Sequence, residues 1–156
     1  MLIFSGCILA GCGGSGAHAP QAQRVQGHGF SFEAPTGWVV TTGPRQTAAK
    51  QDSELVQVAT FPLLKAYRPA LFARVEVELK ARMAVVARQT GGQVDGGRTV
   101  SVGGIRSHSF RVTTGDHVDE YTFVLRGLSE FQLLCRRLSS HADTFCARLL
   151  SSFKPL

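Results

Sequence analysis

Three short turns in the second half of the chain decide what it can become. The segment GRTVSV runs into Gly103-Gly104, IRSHSFRVTT into Gly115-Asp116, and DEYTFVLRG into Leu128-Ser129, after which EFQLLCRRL follows. Each segment is rich in β-branched and aromatic residues, and each break is too short for a crossover. Strands joined this way pair antiparallel with their neighbours. The second half therefore reads as a meander of consecutive strands.

The first half supplies further strands and a helix. Phe30, Phe32 and Ala34 alternate with Ser31 and Glu33, the period of a half-buried strand. Pro35-Thr36-Gly37 forms a turn, and Trp38, Val39 and Val40 restart a strand. GPRQTAAKQDS reads as a polar loop, and LVQVATFPLL as a strand broken at Pro62. From about Pro69 to Gln89 the period changes. Leu71, Phe72, Val75, Leu79, Met83 and Val86 fall within an arc of about 120° on a helix. Glu78 and Arg82 are spaced for an i,i+4 pair, and Thr90-Gly91-Gly92 ends the helix. SSHADTFCARLLSSF reads as a second helix, with Ser140 at its N-cap and Asp143 at N3. The expected architecture is α+β, an antiparallel sheet of about six or seven strands with two helices packed on it.

A chain of 156 residues, 44% hydrophobic, is large enough to bury one core. Its formal charge is +6, from 17 Lys and Arg against 11 Asp and Glu. The cations are scattered, with Arg136-Arg137 the densest pair and no aromatic-interleaved basic run. That pattern argues against nucleic acid as a partner.

The N-terminus carries an address. Met1–Ala10 is apolar or small and uncharged, and Leu9-Ala10-Gly11-Cys12 resembles the lipobox of bacterial lipoproteins. The resemblance implies cleavage between Gly11 and Cys12 and acylation of the Cys12 thiol. Small side chains at Ala10 and Gly11 suit an extended backbone in a peptidase cleft, and the thiol is the nucleophile that takes the lipid. The expected organisation is a signal peptide at 1–11, a lipidated cysteine and flexible tether at 12–27, and one domain at 28–156. No lysine or arginine precedes the apolar run, which is a departure from the pattern. The run GCGGSG lacks the preceding strand and following lysine of a phosphate loop. Gly13, rather than Asp, after the acylated cysteine favours the periplasmic face of an outer membrane, otherwise the cell surface. Cys7 leaves with the signal, so Cys135 and Cys146 remain as an even pair in an oxidising compartment. Cys135 shares a strand face with Phe131 and Leu133, and Cys146 lies on the apolar face of the next helix. Facing each other, they form a disulfide; two buried free thiols are the alternative.

The order of elements, with FSFEAPTGWVV, VSVGGIRSHSFRV and FCARLLSSFKPL, resembles the PsbP-like fold. That fold occurs in the photosystem II extrinsic protein, a Ran-binding nuclear import factor, and bacterial lipoproteins including the DcrB-like ones. The resemblance covers residues 28–156. It implies a sandwich without a catalytic centre, and it fixes no partner.

Chemistry-bearing residues are few. His117, Asp119 and Glu120 form the one acidic knot, GDHVDE, whose oxygens suit a divalent cation. Asp119 and Glu120 are adjacent on a strand, so they point to opposite faces. Ser107 and Ser109 flank His108 but diverge from it, without the elbow that exposes a nucleophile. The expectation is an envelope lipoprotein without a cofactor or enzymatic activity, held to the bilayer through Cys12 and binding or supporting another envelope protein. A small-ligand or metal-binding module and, behind it, a hydrolase-like enzyme are the alternatives.

Overall fold

The computed structural model describes residues 21–156, so Gly11, Cys12 and the segment around them lie outside it. The described chain forms β1 (Ala22–Gly27), β2 (Phe30–Pro35), β3 (Val39–Thr42), β4 (Gln46–Gln51) and β5 (Glu54–Pro62). A single 3-10 turn, Pro69–Leu71, leads into α1 (Phe72–Thr90). Then come β6 (Gln93–Val94), β7 (Arg98–Val102), β8 (Ile105–Thr114), β9 (His117–Arg126), β10 (Ser129–Leu138), α2 (Thr144–Ser152) and β11 (Lys154–Pro155).

The fold is α+β, as the sequence indicates. The main antiparallel sheet has eight strands in the order β3-β4-β5-β10-β9-β8-β6, with β7 also pairing β8. A second sheet of three strands, β1-β2-β11, lies apart from it. Four strands account for the larger number: β6 and β11, of two residues each, and two longer segments. Residues 46–51, read as loop, are β4: Thr47 and Ala49 are buried while Gln46 and Lys50 are exposed. The alternation is there, but it is carried by small residues that look polar in aggregate. Residues 22–27, read as tether, are β1, which buries only Val25 and is held by its full ladder to β2. The ordered domain thus begins ahead of residue 28.

The sheet has a layer on each face. On one, α2 and the small sheet bury Phe30, Phe32, Leu149 and Phe153 against Val56, Val58, Phe131 and Leu133. Phe131 meets Phe30 and Phe153 edge-on, at centroid distances of 6.2 and 5.5 Å. On the other face, α1 seats Leu79 and Met83 on Phe110, Phe123 and Leu125. The helices therefore lie on opposite sides of the main sheet. Cys135 and Cys146 are joined as a disulfide between β10 and α2, with Cα atoms 5.5 Å apart and both residues buried.

Local details depart from expectation in three places. Glu78 pairs with Arg74, and Arg82 instead crosses to Glu130 on β10. Asp143 rather than Ser140 stands at the N-cap of α2, and no side-chain cap bond forms. The β9–β10 turn is Gly127-Leu128, since Ser129 already pairs with Arg126.

Candidate functional site

The residues of GDHVDE are set by β9. Tyr121 and Phe123 pack toward α1, and Val124 packs toward α2, so alternation puts Asp119 on the α1 face and Glu120 on the α2 face. Each carboxylate meets its own arginine. Asp119 sits opposite Arg136 on β10 and accepts from Nε and Nη2, both at 2.7 Å. This two-point bond raises the pKa of Arg136 above its ordinary value, with burial opposing the shift. Glu120 sits opposite Arg111 on β8 and accepts from its Nε at 3.1 Å. It also accepts from Arg98 on β7 and from the Ser109 hydroxyl, which itself accepts from Thr122. Both carboxylates are largely withdrawn from solvent.

His117 turns to Asp116, its Nδ1 lying 2.7 Å from that carboxylate. It opens with Asp119 into a cleft of about 400 Å³ at the end of the sheet that carries the Gly115-Asp116 turn. Lys50, Asp52, Thr90 and Arg136 contribute further polar groups to its walls. Glu120 does not reach this cleft. A cation there would have to displace Arg136 from Asp119. Among the described residues, no three His, Cys, Asp or Glu side chains gather as ligands. The cleft can hold a small polar molecule.

His108 lies elsewhere, buried under the start of α1. Its Nε2 is 3.1 Å from the Phe72 carbonyl and its ring stacks on Phe72 at 3.8 Å. Arg106, two residues away and on the same face of β8, places its guanidinium 3.9 Å from the centre of the same ring. Burial lowers the His108 pKa, while the bond to the Phe72 carbonyl works against that shift. Ser107 donates to the Ile105 carbonyl, so neither flanking serine meets the imidazole.

The arginine partners escaped sequence reasoning, although a signal was present. Across a two-residue turn, opposed residues sum to a constant. The Gly115-Asp116 turn therefore sets Arg111 against Glu120, and Gly127-Leu128 sets Asp119 against Arg136.

No family model matches the chain, and no curated protein matches its sequence. Solved structures do. The solution structure of cyanobacterial PsbP (CyanoP) from Synechocystis sp. PCC 6803 superposes with a TM-score of 0.64 at 16% identity, covering 95% of this chain and 99% of that one. A protein from Bacteroides thetaiotaomicron matches with a TM-score of 0.60 at 10% identity, over 82% of this chain and 45% of that one. These likenesses define the class: the chain has the PsbP-like fold.

Proposed function

We propose that the chain is a lipid-anchored envelope protein whose PsbP-like domain binds or supports another envelope component without catalysing a reaction. One observation carries the non-enzymatic part. Each buried carboxylate, Asp119, Glu120 and Glu130, is bound to arginine, so none stands ready as a base or nucleophile. The lipobox-like Leu9–Cys12 supports the anchor, and the PsbP-like neighbour supports a binding or support role. On this reading Cys12 carries the acyl chains, and the periplasmic face of an outer membrane is the favoured location.

The test is expression of the wild type and Cys12→Ala in a lipoprotein-processing bacterium, with labelled palmitate and mass spectrometry of the N-terminus. Wild type should incorporate label and begin at an acylated Cys12. The variant should do neither. An unlabelled wild type with Met1 intact would end the reading. The cleft lined by Lys50, His117 and Arg136 favours a second reading, a small-ligand module. Calorimetric titration with small carboxylates tests it, and Lys50→Ala should weaken any binding seen.

A further inference from the structure

Five of the cations that look scattered in the sequence gather at one end of the fold. That end carries the Gly43–Arg45 turn, the loop from Leu63 to Leu71, and the Gly103-Gly104 and Gly127-Leu128 turns. Hydrogen bonds from the Leu63 and Tyr67 amides to the Leu128 and Gly127 carbonyls bind two of them together, and the Thr60 amide donates to Arg45. Arg45, Lys65, Arg68, Arg106 and Arg126 are all exposed here. No aspartate or glutamate stands in these turns. The nearest, Glu76, Glu78 and Glu130, are paired with Lys80, Arg74 and Arg82. The turns at the opposite end carry Asp52, Asp116 and Asp143 instead.

Among these cations the basic end also exposes leucines. Leu64 is fully exposed, Leu128 is 60% exposed, and Leu71 and Phe61 are each 40% exposed. Leu64, Leu71 and Leu128 line one open concavity of about 580 Å³ with Lys65 and Arg68. Leu64 and Leu128 project into solvent from turns. Protein hot spots favour packed, desolvated pockets. Apolar tips ringed by Lys and Arg suit the boundary between headgroups and acyl chains of an anionic bilayer.

We propose that this end, centred on Leu64 and Leu128 with Lys65, Arg68 and Arg126, docks on an anionic phospholipid surface. It rests on the anchored-lipoprotein reading only in naming the same bilayer as partner. From Cys12 to Ala22 an extended chain reaches at most about 35 Å, and a ten-residue strand is about 33 Å long. An anchored cysteine and a docked basic end can therefore share one membrane, with the linker drawn out along the domain.

The test uses the full chain carrying Cys12→Ala, so that acylation plays no part, and vesicles of phosphatidylcholine with or without phosphatidylglycerol. The apolar N-terminus is common to every variant and to both vesicles, so differences report on the domain. Binding should favour phosphatidylglycerol vesicles and fall about tenfold at high salt. Leu64→Ser with Leu128→Ser should lower it about tenfold at unchanged net charge. Arg88→Ser, in the last turn of α1 at the other end, should leave it near wild type. Both leucines are exposed, and an unchanged urea midpoint shows that the double variant folds. No preference for phosphatidylglycerol, an unaffected leucine variant, or an equal loss in Arg88→Ser would overturn the proposal. So would equally tight binding to soluble polyglutamate, which would assign the face to acidic polypeptides.

Discussion

His108 couples the stability of this fold to pH. Its folded pKa lies below the ordinary 6.5 because the ring is buried, so the unfolded chain takes up its proton first. The contribution is full above pH 6.5 and is lost as pH falls from there through the depressed folded value. His108→Phe retains a stack on Phe72 and removes the titration. Urea midpoints should drop between pH 7.5 and 5 in the wild type by more than in the variant; equal slopes would contradict the assignment. Asp119 and Arg136 make a different point. Removing Arg136 leaves a buried carboxylate with neither of its two bonds. A fully buried pair loses about 3–5 kcal/mol when one partner goes, but the Arg136 side chain is 41% exposed, so Arg136→Ala should cost about 2 kcal/mol. Adding Asp119→Ala should restore part of that loss, because the orphaned charge is gone. Additive losses in the double-mutant cycle would show that the two do not act as a unit.

At the scale of elements, identical substitutions in two turns separate backbone strain from packing. Gly97 and Gly115 both have positive φ, 76° and 58°. A Cβ at Gly115 meets nothing within 4 Å, whereas one at Gly97 falls 2.4 Å from the Phe110 ring. Gly115→Ala should cost about 1 kcal/mol, from the left-handed backbone alone. Gly97→Ala should cost about 2 kcal/mol or more, because the core ring must also shift. Equal thermal shifts would mean that Phe110 yields freely. The disulfide ties β10 to α2 across 11 residues, and Cys135→Ala with Cys146→Ala should cost about 3 kcal/mol in urea unfolding. These elements were legible for a common reason: short turns and strong alternation act locally, and Cys135 and Cys146 stood on adjacent inward faces. β1 and β4 were not legible because their apolar anchors are a single valine or small residues, and their pairing is a property of the neighbouring strand. Arg82 shows the same limit. Its helical neighbour Glu78 was the local choice, but tertiary packing brought Glu130 to it.

At the scale of the whole molecule, charge separates along the strands, and no local pattern announces it. Arg45, Lys65, Arg106 and Arg126 are far apart in the chain, yet antiparallel pairing returns each to the same end, while Asp52, Asp116 and Asp143 collect at the other. The chain enters the fold at the acidic end, where the Thr36 amide bonds the Gln21 carbonyl. If Cys12 is acylated as proposed, an anionic bilayer would set opposed demands: the tether would hold the acidic end near the surface, and the field would draw the basic end down. Linker length decides whether both contacts form. Deleting Gly13–Gly16 removes about 14 Å of reach, leaving about 21 Å against a strand about 33 Å long. The shortened chain should stay anchored through Cys12 but lose its salt-sensitive contact. This is readable by placing an environment-sensitive fluorophore on Leu128→Cys in the acylated protein on phosphatidylglycerol vesicles. Emission should shift to the blue for the full linker, return toward the aqueous value at high salt, and stay aqueous for the deletion. A blue shift in the deletion equal to that of the full linker would show that the domain lies along the membrane rather than seating its basic end.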